Sequence, residues 1–204
     1  MTNFLKLIWK GKFNGFEDLK VDKPPKNAIA FEEPESAKDL AKETRRSLIP
    51  VIVFLIIVIF LRGKIRGAFK IGDILNIFGV VLVIISILPH EYFHALAFPR
   101  DAEVEFWYSF KQRTALVISK EPITKRRFIF LNLLPNIVFG FLPLIIWIFI
   151  PNNMSFLSGT LFTFGFIDLI IGAGDFMNVY NAIKQVPKEA LIQISAFDSY
   201  WFYN

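Results

Sequence analysis

The sequence predicts an all-α integral membrane protein of about four transmembrane helices, with a small cytoplasmic β-hairpin after the second. Three observations carry this reading. The chain is 54 % hydrophobic and 16 % aromatic, with a mean hydropathy of +0.47, whereas soluble domains are roughly 45–50 % apolar. The excess is gathered into long apolar runs with basic residues at their ends. One stretch between the second and third runs changes to a period of two, the signature of a strand pair.

Residues 1–46 form a polar N-terminal arm. Phe4, Leu5, Leu7, Ile8 and Trp9 interleave with Lys6, Lys10 and Lys12, which suits a short interfacial segment or a solvated arm equally. Pro24-Pro25 interrupts any helix there. Ser36 is placed to cap a helix over Ala37–Arg46.

Residues 47–185 form the membrane domain. Leu48–Leu61 is the first apolar run. At about 1.5 Å per residue it falls short of a ~30 Å hydrocarbon core, so Arg45, Arg46 and Arg62 are expected to snorkel from its ends. Ile71–Phe98 is the second, with Pro89 expected to kink or restart the helix and Pro99 to end it. The hairpin follows within Asp101–Glu121. Val104, Phe106, Tyr108 and Phe110 alternate with Glu105, Trp107 and Ser109, and Thr114–Ile118 supplies the return strand. Such a hairpin is either a loop folded over the bundle or an edge that receives an extended peptide. Phe128–Ile150 is the third run, kinked by its prolines. Its Asn132 and Asn136 need partners in lipid. The fourth, Phe156–Tyr180, carries Asp168 and Gly172-Ala173-Gly174-Asp175. Residues 186–204 form a C-terminal tail ending in aromatics.

The net charge of +5 serves topology rather than nucleic acid, because the basic residues flank the apolar runs. The 99–127 loop is rich in Lys and Arg and residues 151–155 have none. Both termini and that loop are therefore expected in the cytoplasm, with a multi-pass chain in the cell membrane. Four basic residues in 62–70 oppose that orientation.

The chemistry lies in His90-Glu91-Tyr92-Phe93-His94, an H-E-x-x-H at the end of the second run. These are the two histidines of the whole chain. At positions i and i+4 they share one helix face and can aim two ring nitrogens at one ion. Glu91 stands where a carboxylate can take a proton from a water on that ion. With no cysteine, thiolate ligands and disulfides are excluded, and the metal must be held by His and carboxylate. A catalytic Zn2+ site takes three protein ligands and leaves one position open. Asp175 is the expected third ligand, since Gly172, Ala173 and Gly174 let its backbone approach the motif helix. Asp168 is the alternative, or a partner behind the ligands. Asp73, seventeen residues before His90, is about 25 Å away along a continuous helix and is not a ligand.

With H-E-x-x-H followed by a distant Gly174-Asp175, residues 48–185 resemble a bacterial family of predicted membrane zincin peptidases. That family is similar in outline to the site-2 intramembrane metalloproteases. The resemblance implies zinc on His90, His94 and Asp175 with Glu91 as catalytic base. Asn132-Leu133-Leu134-Pro135 matches the N-x-x-P of site-2 proteases, but the acid that follows it there stands here in the fourth run.

The expected function is a zinc-dependent peptidase acting on membrane or membrane-adjacent peptides, with its site toward the cytoplasmic face. Its partners would be the lipid bilayer and a peptide or membrane-protein substrate. Two other classes compete: a non-catalytic membrane adaptor with a closed metal site, and an ion-coupled transporter using Asp73, Asp168 and Asp175.

Overall fold

A computed structural model describes residues 6–13, 19, 25–32, 37–68, 70–111, 114–195 and 198–203. Phe4, Leu5, Pro24 and the proposed cap Ser36 lie outside them. The chain divides into two compact units: residues 34–90 with 133–177, and residues 1–33 with 91–132 and 178–204. Three helices are continuous through those divisions: α3 (Ile77–Leu96), α4 (Lys125–Pro135) and α7 (Ala173–Gln185).

The protein is not all-α. Among the described residues, seven strands build two sheets, both from the second unit. The hairpin forms as expected. β3 (Glu103–Ser109) pairs antiparallel with β4 (Thr114–Ser119), Val104 opposite Ser119 and Ser109 opposite Thr114. Val104 and Phe106 turn inward and are buried. The interfacial segment becomes a strand, β1 (Lys6–Lys12), which pairs parallel with β3 from Lys6–Glu103 to Lys12–Tyr108. Trp9 stacks on Phe106 and Tyr108 at 5.0 and 5.6 Å. Lys6 pairs with Glu103, and Lys10 with Glu105 at 3.1 Å. Gly11 takes a φ of +92°, where the β1–β3 register shifts by a residue; a side chain there would be strained. β3 is thus interior, so the edges of this sheet are β1 and β4.

The second sheet runs β2 (Ile29–Ala30), β7 (Asp198–Phe202), β6 (Leu191–Ser195), β5 (Ile123–Thr124). The tail therefore folds as a β6–β7 hairpin, Leu191 opposite Phe202, with arm and hairpin-loop residues added at its edges. Local pattern could not show these additions at the edges, since each joins segments far apart in the chain.

The first unit is built of apolar helices. Among the described residues two segments, Ile71–Leu96 and Lys125–Phe149, are long and apolar enough to cross a membrane. The number rises to four if each of two bent pairs is one span: residues 38–47 of α1 (Ala37–Ser47) with α2 (Ile49–Arg66), bent 43°, and α6 (Ser155–Ile171) with α7, bent 49°. The aliphatics Ile56, Ile57, Ile84 and Ile85 are half exposed or more, as suits helices long and apolar enough to cross a membrane.

Arg62 does not snorkel. It is fully buried, because α5 (Leu142–Phe149) ends beside it and turns its last carbonyl acceptors toward the guanidinium. Its guanidinium donates to the carbonyls of Trp147 at 3.2 Å and of Ile150, and to Asn152 Oδ1 at 3.2 Å, and lies 5.2 Å over the Trp147 ring. Cationic charge at a helix C-terminus is favoured by the helix dipole. Pro89 does not interrupt α3, which runs through it to Leu96; a proline costs one intrahelical bond, which flanking turns in an apolar setting tolerate. The third run does change form. α4 ends at Pro135, and Asn136–Phe141 is a π-helical stretch before α5.

Candidate metal centre

The motif occupies the last turns of α3. His90 and His94 stand four residues apart on one helix, so their rings leave the same face about one turn apart. The His90 side chain keeps 13 % of its surface exposed, and His94 is buried. The helix closes just beyond, where Ala97 N donates to His94 O at 3.1 Å.

Asp175 reaches His90 because the fourth run breaks. α6 stops at Ile171, the chain bends 49° at Gly172, and Asp175 sits in the first turn of α7. Its Oδ2 lies 3.3 Å from His90 Nε2. The same oxygen accepts a hydrogen bond from Asn136 Nδ2 at 2.7 Å. Asn136 opens the π-helical stretch, and Phe139 from that stretch stacks on the His90 ring at 6.2 Å. π-helical turns inside α-helices recur at functional sites because they re-aim side chains.

Asp168 approaches the other nitrogen: its Oδ1 is 3.6 Å from His90 Nδ1. The imidazole is thus set between two carboxylates, one at each nitrogen. Asp168 is buried, and its Oδ2 has no hydrogen-bond partner among the described residues. An uncompensated polar atom in a buried place is expensive, which marks this ring's surroundings as built for something other than packing.

His94 has a defined tautomer. Its Nδ1 lies 2.9 Å from the Leu131 carbonyl. A carbonyl only accepts, so in the neutral ring Nδ1 carries the proton and Nε2 keeps the lone pair that binds metals. Glu91 is half-buried beside His90 on α3 and has contacts of its own.

His90, His94 and Asp175 each offer one ligand atom, and these all lie within 4.8 Å of one another. This is the one group of three or more potential ligands found among the described residues. The 3.3 Å between His90 Nε2 and Asp175 Oδ2 is about the edge of a tetrahedron with metal–ligand bonds near 2.0–2.1 Å. Two imidazoles and one carboxylate are the donors of a known catalytic zinc class, so the residues fit the ion.

The remaining candidates sort plainly. Asp73 stands apart in a short 3₁₀ turn, Ile71–Asp73, accepting from Ser155 Oγ at 2.5 Å and from Lys70 N at 2.8 Å. Asn132 ties α4 to α7 by accepting from Asn178 at 2.9 Å, and donates within α4 to Phe128 O at 2.9 Å. Asn136, in the sequence an amide that needs a partner, gives its side-chain N–H to Asp175. The contributions of Leu131 and Phe139 escape sequence reasoning, since a backbone carbonyl and a phenylalanine carry no motif.

Membrane-length apolar helices with a His-His-Asp donor set on and beside H-E-x-x-H define a membrane-associated zincin-type protein. The chain belongs to the family described as "putative zincin peptidase", whose model matches residues 83–191, more than half of the 204 residues. The match includes the motif and both aspartates. No curated protein and no solved structure matches the chain.

Proposed function

We propose that this protein is a zinc-dependent peptidase that hydrolyses peptide bonds in membrane-embedded or membrane-adjacent substrates. The observation that carries the reading is the convergence of three zincin-type ligand atoms within 4.8 Å in a chain of the zincin peptidase family. His90, His94 and Asp175 hold the ion. Zinc, when bound, supplies Lewis acidity toward the scissile carbonyl and lowers the pKa of water. Glu91 then takes the proton from the attacking water and delivers it to the leaving amine. Asn136 orients the Asp175 carboxylate through their 2.7 Å hydrogen bond. The half-buried setting of His90 and Glu91 limits water near the reacting groups and strengthens their electrostatics. The site faces the cytoplasmic side, on the strength of the basic 99–127 loop.

A closed, purely structural metal site needs a fourth protein donor. Asp168 is the available acid, but it faces Nδ1 of His90, the nitrogen away from Asp175, and this favours an open position. Ion transport through Asp73 is disfavoured by its two local hydrogen bonds.

The test is Glu91→Gln beside Asp175→Asn, in protein purified in detergent and returned to liposomes with a library of membrane-anchored peptides. Glu91→Gln is expected to hold zinc one-to-one and to lose turnover, since general-base catalysis contributes roughly 10²–10⁴-fold. Asp175→Asn is expected to lose zinc. Full activity in Glu91→Gln would refute the base; full zinc content in Asp175→Asn would refute the ligand.

A further inference from the structure

In an uninterrupted α-helix, the carbonyl of residue 131 accepts the N–H of residue 135. Residue 135 here is a proline, which has no N–H to give. It lies inside α4 with its side chain fully buried, so water is a poor substitute donor for a carbonyl in that setting. A buried acceptor left without a donor is costly. The group found at the Leu131 carbonyl is His94 Nδ1, at 2.9 Å.

We infer that Pro135 is a positioning residue for His94: by withholding an amide proton it releases the Leu131 carbonyl, which fixes the imidazole with Nδ1 protonated and Nε2 turned to the metal. The inference deepens the zinc reading and rests on it for its purpose, though the hydrogen bond exists without metal. The chain has other prolines in its apolar helices, Pro50, Pro89 and Pro143. The carbonyls four residues before them belong to Arg46, Ile85 and Phe139, and among the hydrogen bonds described above none of these accepts from a histidine. The pairing of proline and histidine at Leu131 is a feature of this turn. It explains why a helix-weakening residue sits where α4 passes the motif: the helix loses one internal bond, and a ligand gains an anchor.

The test separates the missing N–H from the proline ring. Pro135→Ala restores the amide proton. An alanine analogue joined at 135 by a backbone ester removes it again without the ring. Leu134→Ala loosens the same helix and adds no donor. With two histidines in the chain, ¹⁵N-imidazole spectra of the metal-free protein in micelles are assigned by one His90→Gln control. They are recorded where the His94 ring is neutral.

Wild type is expected to show the Nδ1–H form of His94. Pro135→Ala should give a mixture of tautomers and about tenfold weaker zinc binding in chelator competition, the lower end for loss of a ligand's supporting partner. The ester variant should recover both, and Leu134→Ala should keep the wild-type tautomer. An Nε2–H form in wild type, an unchanged tautomer in Pro135→Ala, or an ester variant that behaves like Pro135→Ala would each overturn the inference. If wild type binds no zinc while the tautomers behave as expected, the metal reading fails and the Pro135–Leu131–His94 linkage stands as a structural one.

Discussion

Gly172 stands where the side-chain amide of Asn136 needs the room: a Cβ added to Gly172 would lie 1.8 Å from Asn136 Oδ1. Its φ is −69°, so space rather than backbone freedom demands glycine. The bend of the fourth run, the seating of Asn136 and the aim of Asp175 all meet at this point.

Gly172→Ala is accordingly expected to push Asn136 away and to cost about 1–3 kcal/mol, the usual penalty of overpacking. Thermal unfolding in detergent measures the cost, and zinc retention should fall in parallel. Gly174, where an added Cβ meets nothing within 4 Å, is the comparison: Gly174→Ala should leave both readings near wild type.

Removing the donor on Asp175 should weaken metal binding with less loss of stability. Asn136→Ala is predicted to lower zinc affinity by roughly 10–100-fold, as expected when a partner behind a ligand is lost. Asn132→Ala, which breaks the ties to Asn178 and Phe128, should act on stability and spare affinity. Chelator competition on the two variants distinguishes these roles, and equal affinity losses would count against a role for Asn136 at the site.

Arg62 gives a prediction far from the metal. Arg62→Leu would take a donor from the carbonyls of Trp147 and Ile150; Trp147 keeps the N–H of Ile150, so the loss of about 1–3 kcal/mol falls on the Ile150 carbonyl. Arg62→Lys should recover only part, because an ammonium lacks the planar fork that reaches several acceptors at once. Denaturant unfolding of the three proteins tests the ranking.

Outside the membrane segments, the Lys6 ammonium hydrogen-bonded to Glu103 holds that carboxyl below its ordinary range. The sign follows from linkage. A depressed folded-state pKa gives β1 pairing a contribution that is present above the unfolded carboxylate pKa and is lost as pH falls through the folded value. Carboxyl NMR titration should place the Glu103 midpoint below that of an unpaired glutamate. The midpoint should move upward in Lys6→Met and in high salt, because both partners are exposed. A midpoint indifferent to Lys6 would remove the pairing from solution.

Much of the site is legible in the amino-acid sequence itself. His90, Glu91 and His94 carry their own geometry, because i and i+4 on a helix converge whatever surrounds them. Apolar runs name themselves, since lipid admits few charges, and the alternation at Val104–Phe110 announces β3 by its period. Asp175 is favoured over Asp168 because Gly172 and Gly174 flank it. What only the tertiary structure decided are relationships between segments distant in the chain. β1 pairs with β3 across ninety-seven positions, and no local pattern encodes a partner at that range. Arg62 has the look of an end-of-helix cation bound for the interface, but the end of α5 arrives beside it and offers carbonyls. Asn136 is one of two asparagines with equal claims until the π-helical turn points it at Asp175. Short-range periodicity is written into covalent order; which buried donor meets which buried acceptor is settled only when the helices pack, since each must find its partner there or pay for its burial.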